Sequence, residues 1–254
     1  MTAGDSRADD ILRRQERLAG DRAIFEQHWR EIAERILPRA DWFRTNRAPG
    51  DKHTEKVFDA TANLALERFA AAMESMLTPR TQRWHRLKTI DPDLNEQPDI
   101  RAWLDQVTDI LFQVRYGPRA NFASQAHETY MSLGAFGTGG LFVDDAIGHG
   151  IRYRSIHLGE MFISENFQGV VDTVYRKFQM TARQAQQKFG DKDLPDDIKR
   201  ALEKFPDQNF DFVHAVHPNE DKKANRRDYR GMDYYSCYVS VAGRKVLSEG
   251  GFRS

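Results

Sequence analysis

Up to about residue 137, apolar side chains recur every three or four positions, and from about residue 138 they alternate in short runs. The change of period predicts a helical front half and a strand-rich back half. The front half is organised around the stretch from Phe58 to Ile90, where Leu66, Phe69, Met73, Met76 and Leu77 fall at helical spacing. That spacing predicts one apolar stripe along a single helix. Ala60, Ala62, Ala65, Ala70, Ala71 and Ala72 keep its flanks thin, so a second backbone can approach on either side. Asp59 or Thr61 is suited to cap its start, and Thr78 before Pro79 ends it, because a residue preceding proline is pushed out of the helical region.

Three further helices are predicted. The first runs from about Ser6 to Leu37, carries Leu18, Phe25, Trp29, Ile32 and Ile36 on one face, and stops at Pro38; the first dozen residues of the chain are polar and read as frayed. Another spans Asp99 to Val114, with Ile100, Trp103, Val107, Ile110, Leu111 and Val114 on its stripe. The last spans Asn121 to Leu133, with Asn121 as cap and Phe122, Ala126, Tyr130 and Leu133 as its stripe. Behind the glycine-rich turn GAFGTGG, the runs LFVDDA, IRYRSI, EMFISEN and VVDTVYRKFQM read as strands. Two short helices are set into this meander near residues 181–205. One begins with the capping box at Thr181 and Gln184, and the other begins at Pro195. FDFVHAVHP, YYSCYVSV and RKVLSEGG complete the strands, the last two joined across Ala242 and Gly243. The expected fold class is therefore α+β, a helical N-terminal half packed with a strand-rich meander around one shared core. Trp29, Leu66, Phe69, Met73, Leu77, Trp84 and Trp103 are the expected core residues.

The composition changes this picture little. Lys plus Arg and Asp plus Glu both number 38, so no global positive charge draws the chain to a polyanion. Cys237 is the one cysteine, which excludes an internal disulfide and fits a reducing compartment. No run of about 18 apolar residues suggests a membrane span, and the N-terminus lacks the apolar core of a signal peptide, so a cytoplasmic origin without a membrane partner is expected.

Candidate chemistry is sparse. GAFGTGG lacks the Lys-Ser/Thr of a phosphate-binding loop and opens a strand instead of a helix. Asp144, Asp145 and His149 offer metal-ligand types, which would suit a metal-dependent hydrolase, although adjacent strand residues point to opposite faces. His214 and His217, three apart in a strand, face opposite ways as well. No nucleophile is paired with a base, and no cofactor is expected. Lys222, Lys223, Arg226 and Arg227, followed by Arg230, crowd one polar loop and are candidates for DNA contact, against the alternative of a solvated loop tip. Arg80, Arg83, Arg86 and Lys88 form a second basic group. The chain ends at EGGFRS, directly after a hairpin arm, which reads as an interruption.

The order of segments says more than any one site. LAGDRAIFEQHWREIAERILP, ANLALERFAAAMESMLTPRTQRWHRL, SLGAFGTGGLFVDD, GEMFISENFQGVVDTVYRKFQMTARQAQQKFG, FVHAVHPNED and VLSEGGF follow one another at spacings that resemble those of the portal proteins, or head-to-tail connectors, of short-tailed bacteriophages. The resemblance covers Leu18 to Phe252. It implies a non-enzymatic subunit of a ring, commonly twelvefold, at one vertex of the capsid, through which DNA is packaged and later ejected. It also implies, as partners, other copies of the chain, capsid and scaffolding proteins, the terminase motor, a tail adaptor and double-stranded DNA. The implied location is the virion, with the host cytoplasm during assembly. Residues 1–254 would form one wing-like region, lacking the channel-lining stem and the clip that such proteins carry further along. A non-assembling prophage remnant of the same fold is the blander alternative.

Overall fold

The alternation of periods produces seven α-helices and seven β-strands among the described residues, which in this computed structural model are 3–38, 56–146, 150–223 and 225–253. The helical front comprises α1 (Ala3–Ile36), α2 (Thr61–Leu77), α3 (Pro92–Glu96), α4 (Pro98–Tyr116) and α5 (Phe122–Phe136). Then come β1 (Gly140–Ala146), β2 (Gly150–Ile156), β3 (Met161–Glu165), β4 (Val171–Thr181), α6 (Ala182–Phe189), α7 (Asp196–Lys204), β5 (Asn209–Pro218), β6 (Tyr234–Ser240) and β7 (Lys245–Phe252). All strand pairings are antiparallel, and the fold class is α+β as the pattern predicts. The single shared core is not what forms. The chain divides into two compact units, one of residues 1–26 and 159–254 and one of residues 27–158, and each has its own buried clusters.

The first unit is a five-stranded sheet in the order β3-β4-β5-β6-β7, so every strand pairs with its sequence neighbour. Its two faces are covered by different helices. Ala8, Ile11 and Leu12 of α1 pack with Val213, Ala215, Cys237 and Val239, while Ala185 of α6 and Ile198 of α7 pack with Phe212 and Leu247. The consecutive residues Phe212 and Val213 are both fully buried, as expected where a strand is covered on both faces. Full burial of a Phe or Val side chain stabilises by about 1.5–3 kcal/mol. The predicted capping box closes the start of α6: Gln184 N donates to Thr181 Oγ1 at 3.2 Å, and Thr181 N donates to Gln184 Oε1 at 3.0 Å. The frayed N-terminus expected from the sequence is instead helical from Ala3, and its Ile11 and Leu12 are buried. Their burial depends on strands some 200 residues away, which local pattern does not reveal. Arg22 anchors the same helix, stacking 3.8 Å from the Phe162 ring centroid and donating to Gly159 O at 3.0 Å.

In the second unit α2 packs on α5 through Leu66, Ala70 and Met131. Gly134 makes the close approach possible: a Cβ there would sit 2.7 Å from the Leu66 and Phe69 side chains. Asp59 accepts from Thr61 N at 3.1 Å at the head of α2. Asn121 does not cap α5 by its side chain but takes a left-handed turn at φ 55°. Of the expected core residues, Leu66 is buried, and Trp29, Met73 and Trp84 are half-buried. Phe69, Leu77 and Trp103 are exposed, which corrects the expected core. On α2 the buried face follows Leu66 and Ala70, and Phe69 lies at its edge, touching Gly134 of α5 yet 40% exposed; on α4 the buried positions are Leu104 and Thr108, a rotation away from the expected stripe. Thr108 is tolerated there because its hydroxyl donates to Leu104 O at 2.7 Å and accepts from Leu87 N at 3.2 Å.

Candidate functional site

The acidic pair of β1 does not converge on a site. Asp144 lies opposite Arg152 and Asp145 opposite Ile151 on β2, both carboxylates are exposed, and Asp144 accepts from the backbone of Asp145 at 3.0 Å. His149 lies outside the described residues. Among the described residues no three His, Cys, Asp or Glu side chains gather as metal ligands.

The glycine-rich turn acts as a chain reversal. Gly137 is left-handed at φ 74° and its N–H closes α5 on Leu133 O at 2.9 Å, while a Cβ at Gly139 would lie 2.7 Å from Thr129 O. His214 is buried, stacked on Tyr238 with ring centroids 4.1 Å apart and with Nε2 3.0 Å from Ser236 Oγ. Burial, then the nearby charges of Lys188 and Arg176, lower its pKa to about 3, so the ring stays neutral. His217 lies elsewhere, its ring stacked 6.3 Å from that of Tyr175. Burial pushes the Cys237 thiol up to about 12, far from the thiolate that nucleophilic chemistry needs.

Both basic groups are interleaved with acids. Residues 219–233 hold five cations, Lys222, Lys223, Arg226, Arg227 and Arg230, against four carboxylates, Glu220, Asp221, Asp228 and Asp233, which leaves one positive charge. Lys222 pairs with Asp233, and Arg226 grips Asp228 through Nε and Nη2 at 3.0 and 2.7 Å. The adjoining cavity of about 150 Å³ is matched in the same way. There Arg7 bonds Glu249 at 3.0 Å and Asp221 at 3.4 Å, and Arg14 lies 3.5 Å from Glu220. After α2, Arg86 holds Asp105 through Nε and Nη2 at 3.0 and 3.1 Å, and Arg83 pairs with Asp109, so these two cations tie residues 79–90 to α4.

A cluster that sequence reasoning missed surrounds Arg115. Its guanidinium lies 4.7 Å from the Trp84 ring centroid and 5.6 Å from that of Phe122, with Nε donating to Tyr153 Oη at 3.2 Å and Nη1 3.1 Å from His85 Nδ1. Trp84 Nε1 donates to Tyr116 Oη at 3.0 Å, which donates to Thr78 O at 2.7 Å. Burial and then Arg115 hold the His85 pKa below its ordinary value, so a neutral imidazole accepts from the guanidinium. Only the crowding of aromatics with one basic residue could have signalled this network.

Among the described residues, the surface is marked by exposed apolar side chains on α2 and α4, such as Met76, Trp103 and Ile110, and by cations paired in place with carboxylates, such as Arg83, Arg86 and Lys222. The sequence matches the bacteriophage head to tail connecting protein family over residues 8–254, and the chain belongs to that family. It is 32% identical over 248 residues to a probable portal protein of Bordetella phage BPP-1, covering 96% of this chain and 44% of that one. It is 29% identical over 252 residues to a portal protein of Salmonella phage epsilon15, covering 98% of this chain and 45% of that one. The chain thus spans less than half the length of the curated relatives it matches.

Proposed function

We propose that this chain is the wing-like region of a portal subunit, a structural part of a ring, commonly a dodecamer, at one capsid vertex through which DNA is packaged and ejected. The observation that carries this reading is a family match running through both compact units, from residue 8 to residue 254. In this role the chain meets copies of itself, capsid and scaffolding proteins, the terminase motor, a tail adaptor and double-stranded DNA. It is assembled in the host cytoplasm and resides in the virion. The test is negative-stain electron microscopy with native mass measurement of the chain and of any longer natural product. Closed rings with a central hole are expected in the longer product; discrete monomers in both would sink the conduit role and leave a non-assembling remnant.

Within the basic loop, Lys222 and Arg226 are held by Asp233 and Asp228, so Lys223 and Arg227 are the side chains we carry forward as phosphate contacts. Each phosphate contact on duplex DNA contributes about 0.9 to the slope of log affinity against log salt. Replacing both by alanine should therefore lower that slope by about 2 in a DNA titration. An unchanged slope would show that the loop is a solvated tip.

A further inference from the structure

We propose that the exposed face of α2 is a socket for the exposed face of α4 of a neighbouring copy, a head-to-tail contact that repeats around a closed ring. The inference rests on the ring reading above and adds the surfaces that make it.

Helix α2 carries two apolar faces. One, with Leu66 and Ala70, is spent on α5. The other is formed by Ala62, Ala65, Phe69, Ala72 and Met76, spaced three and four residues apart and every one exposed, Phe69 to 40% although one edge of its ring lies against Gly134 of α5, and Met76 to 69%. At about 100° per residue these five fall within one narrow stripe roughly 20 Å long. Helix α4 shows a second stripe of the same length and spacing: Asp99, Trp103, Gln106, Ile110 and Gln113, again all exposed, with Trp103 at 60% and Ile110 at 50%.

The two stripes are complementary in size. Aligned at their midpoints, Phe69 meets Gln106, and the two alanines flanking Phe69 meet the bulky Trp103 and Ile110. Antiparallel, the match is in register, since Ala65 and Ile110 are each four residues from the midpoint and Ala72 and Trp103 each three; parallel, each pair is offset by one residue, about 1.5 Å. Large side chains entering the gaps left by alanine allow helix axes to approach at the near end of the usual 8–10 Å range. The charges are complementary too. The α2 stripe is flanked by Arg68, whereas Glu67 and Glu74 are turned away and held by His127 of α5 at 3.2 and 3.4 Å. The α4 stripe holds Asp99, whereas the flanking Asp109 is already paired with Arg83, and Arg101 and Arg115 lie on the opposite side of that helix. A small-residue face flanked by Arg68 and a bulky one carrying Asp99 fit each other better than either fits itself. That asymmetry makes the contact heterologous, the kind that closes rings instead of stopping at a dimer.

The test is disulfide trapping in the assembled protein, where Cys237, being buried, does not compete. Ala65→Cys combined with Ile110→Cys reports an antiparallel seam, and Ala72→Cys combined with Ile110→Cys a parallel one. One of the two pairs should give, on mild oxidation, a ladder of covalent species beyond the dimer, while each single variant gives none. As a second readout, Ala72→Trp fills the socket and should weaken association about tenfold or more, with the melting temperature of the chain unchanged because the position is exposed. Rings that form in the microscope but trap neither pair would overturn this seam and leave the ring reading standing. A dimer band from Ala65→Cys alone would overturn it in favour of a symmetric contact. Absence of rings in every form would fail the ring reading and the seam together.

Discussion

Lowering the pH from 7.5 to 5 should cost the five-stranded unit on the order of 2 kcal/mol of stability through His214 alone, and the loss should grow toward pH 3. The imidazole is buried, stacked on Tyr238, and near the charges of Lys188 and Arg176, so in the folded chain it takes up a proton only near pH 3, whereas an unfolded histidine does so near 6.5. The folded pKa is depressed, so the stability is fully present above about 6.5 and falls by about 1.4 kcal/mol per pH unit below it. Against a total of about 5–15 kcal/mol, that loss is large. The measurement is urea unfolding at pH 7.5 and 5, followed by tyrosine near-ultraviolet circular dichroism, for the parent and His214→Gln. Tryptophan emission is the wrong probe, since all four tryptophans lie within residues 27–158. The glutamine variant retains a partner for Ser236 and should show the shallower pH dependence. Equal slopes would refute the neutral buried imidazole.

Replacing Arg115 by alanine should destabilise residues 27–158 by about 3 kcal/mol. A hydrogen bond from a charged group contributes about 1.5–3 kcal/mol, and a partly desolvated cation over an aromatic face about 0.5–2 kcal/mol. The variant strands the Tyr153 hydroxyl, on a buried residue, as well as the acceptor nitrogen of His85. Arg115→Lys should recover little, because an ammonium cannot lie flat over Trp84 while reaching both partners. Two further signals separate this from a general loss of packing. Trp84 emission should shift to the red, and His85 should titrate closer to its ordinary range, since one of the two causes that depress it has been removed. A variant that melts with the parent, or an unchanged His85 titration, would disprove the hub.

The back half of the fold was readable because its signals are local. The Thr181–Gln184 box, the alternation in VDTVYRKFQM and the break at Ala242–Gly243 each fix an element within a few residues. The helix phases were less readable for a physical reason. α2 has apolar residues all along two faces, and nothing in its own sequence says which of them α5 will take. On α4 a threonine occupies the buried stripe, satisfied by a carbonyl of its own helix and by an amide 21 residues upstream, so the apolar period points to the wrong side. The residues after α2 read as a second basic group because the acids that pair Arg86 and Arg83, Asp105 and Asp109, stand on another helix. The two-unit division was hidden for the same reason, since α1 meets its strands only across the length of the chain.

That interrupted layout sets an order of events during synthesis. Residues 27–158 emerge as one continuous piece and have every strand and helix of their unit as soon as Leu158 leaves the ribosome. Residues 1–26, made first, must wait for β7 to finish at Phe252, 226 residues after Glu26. At about 5–20 residues per second the wait lasts roughly 10–45 s. Throughout it Ile11 and Leu12 lack the sheet that will cover them, so the newborn N-terminus is the part of this chain that chaperones would meet first.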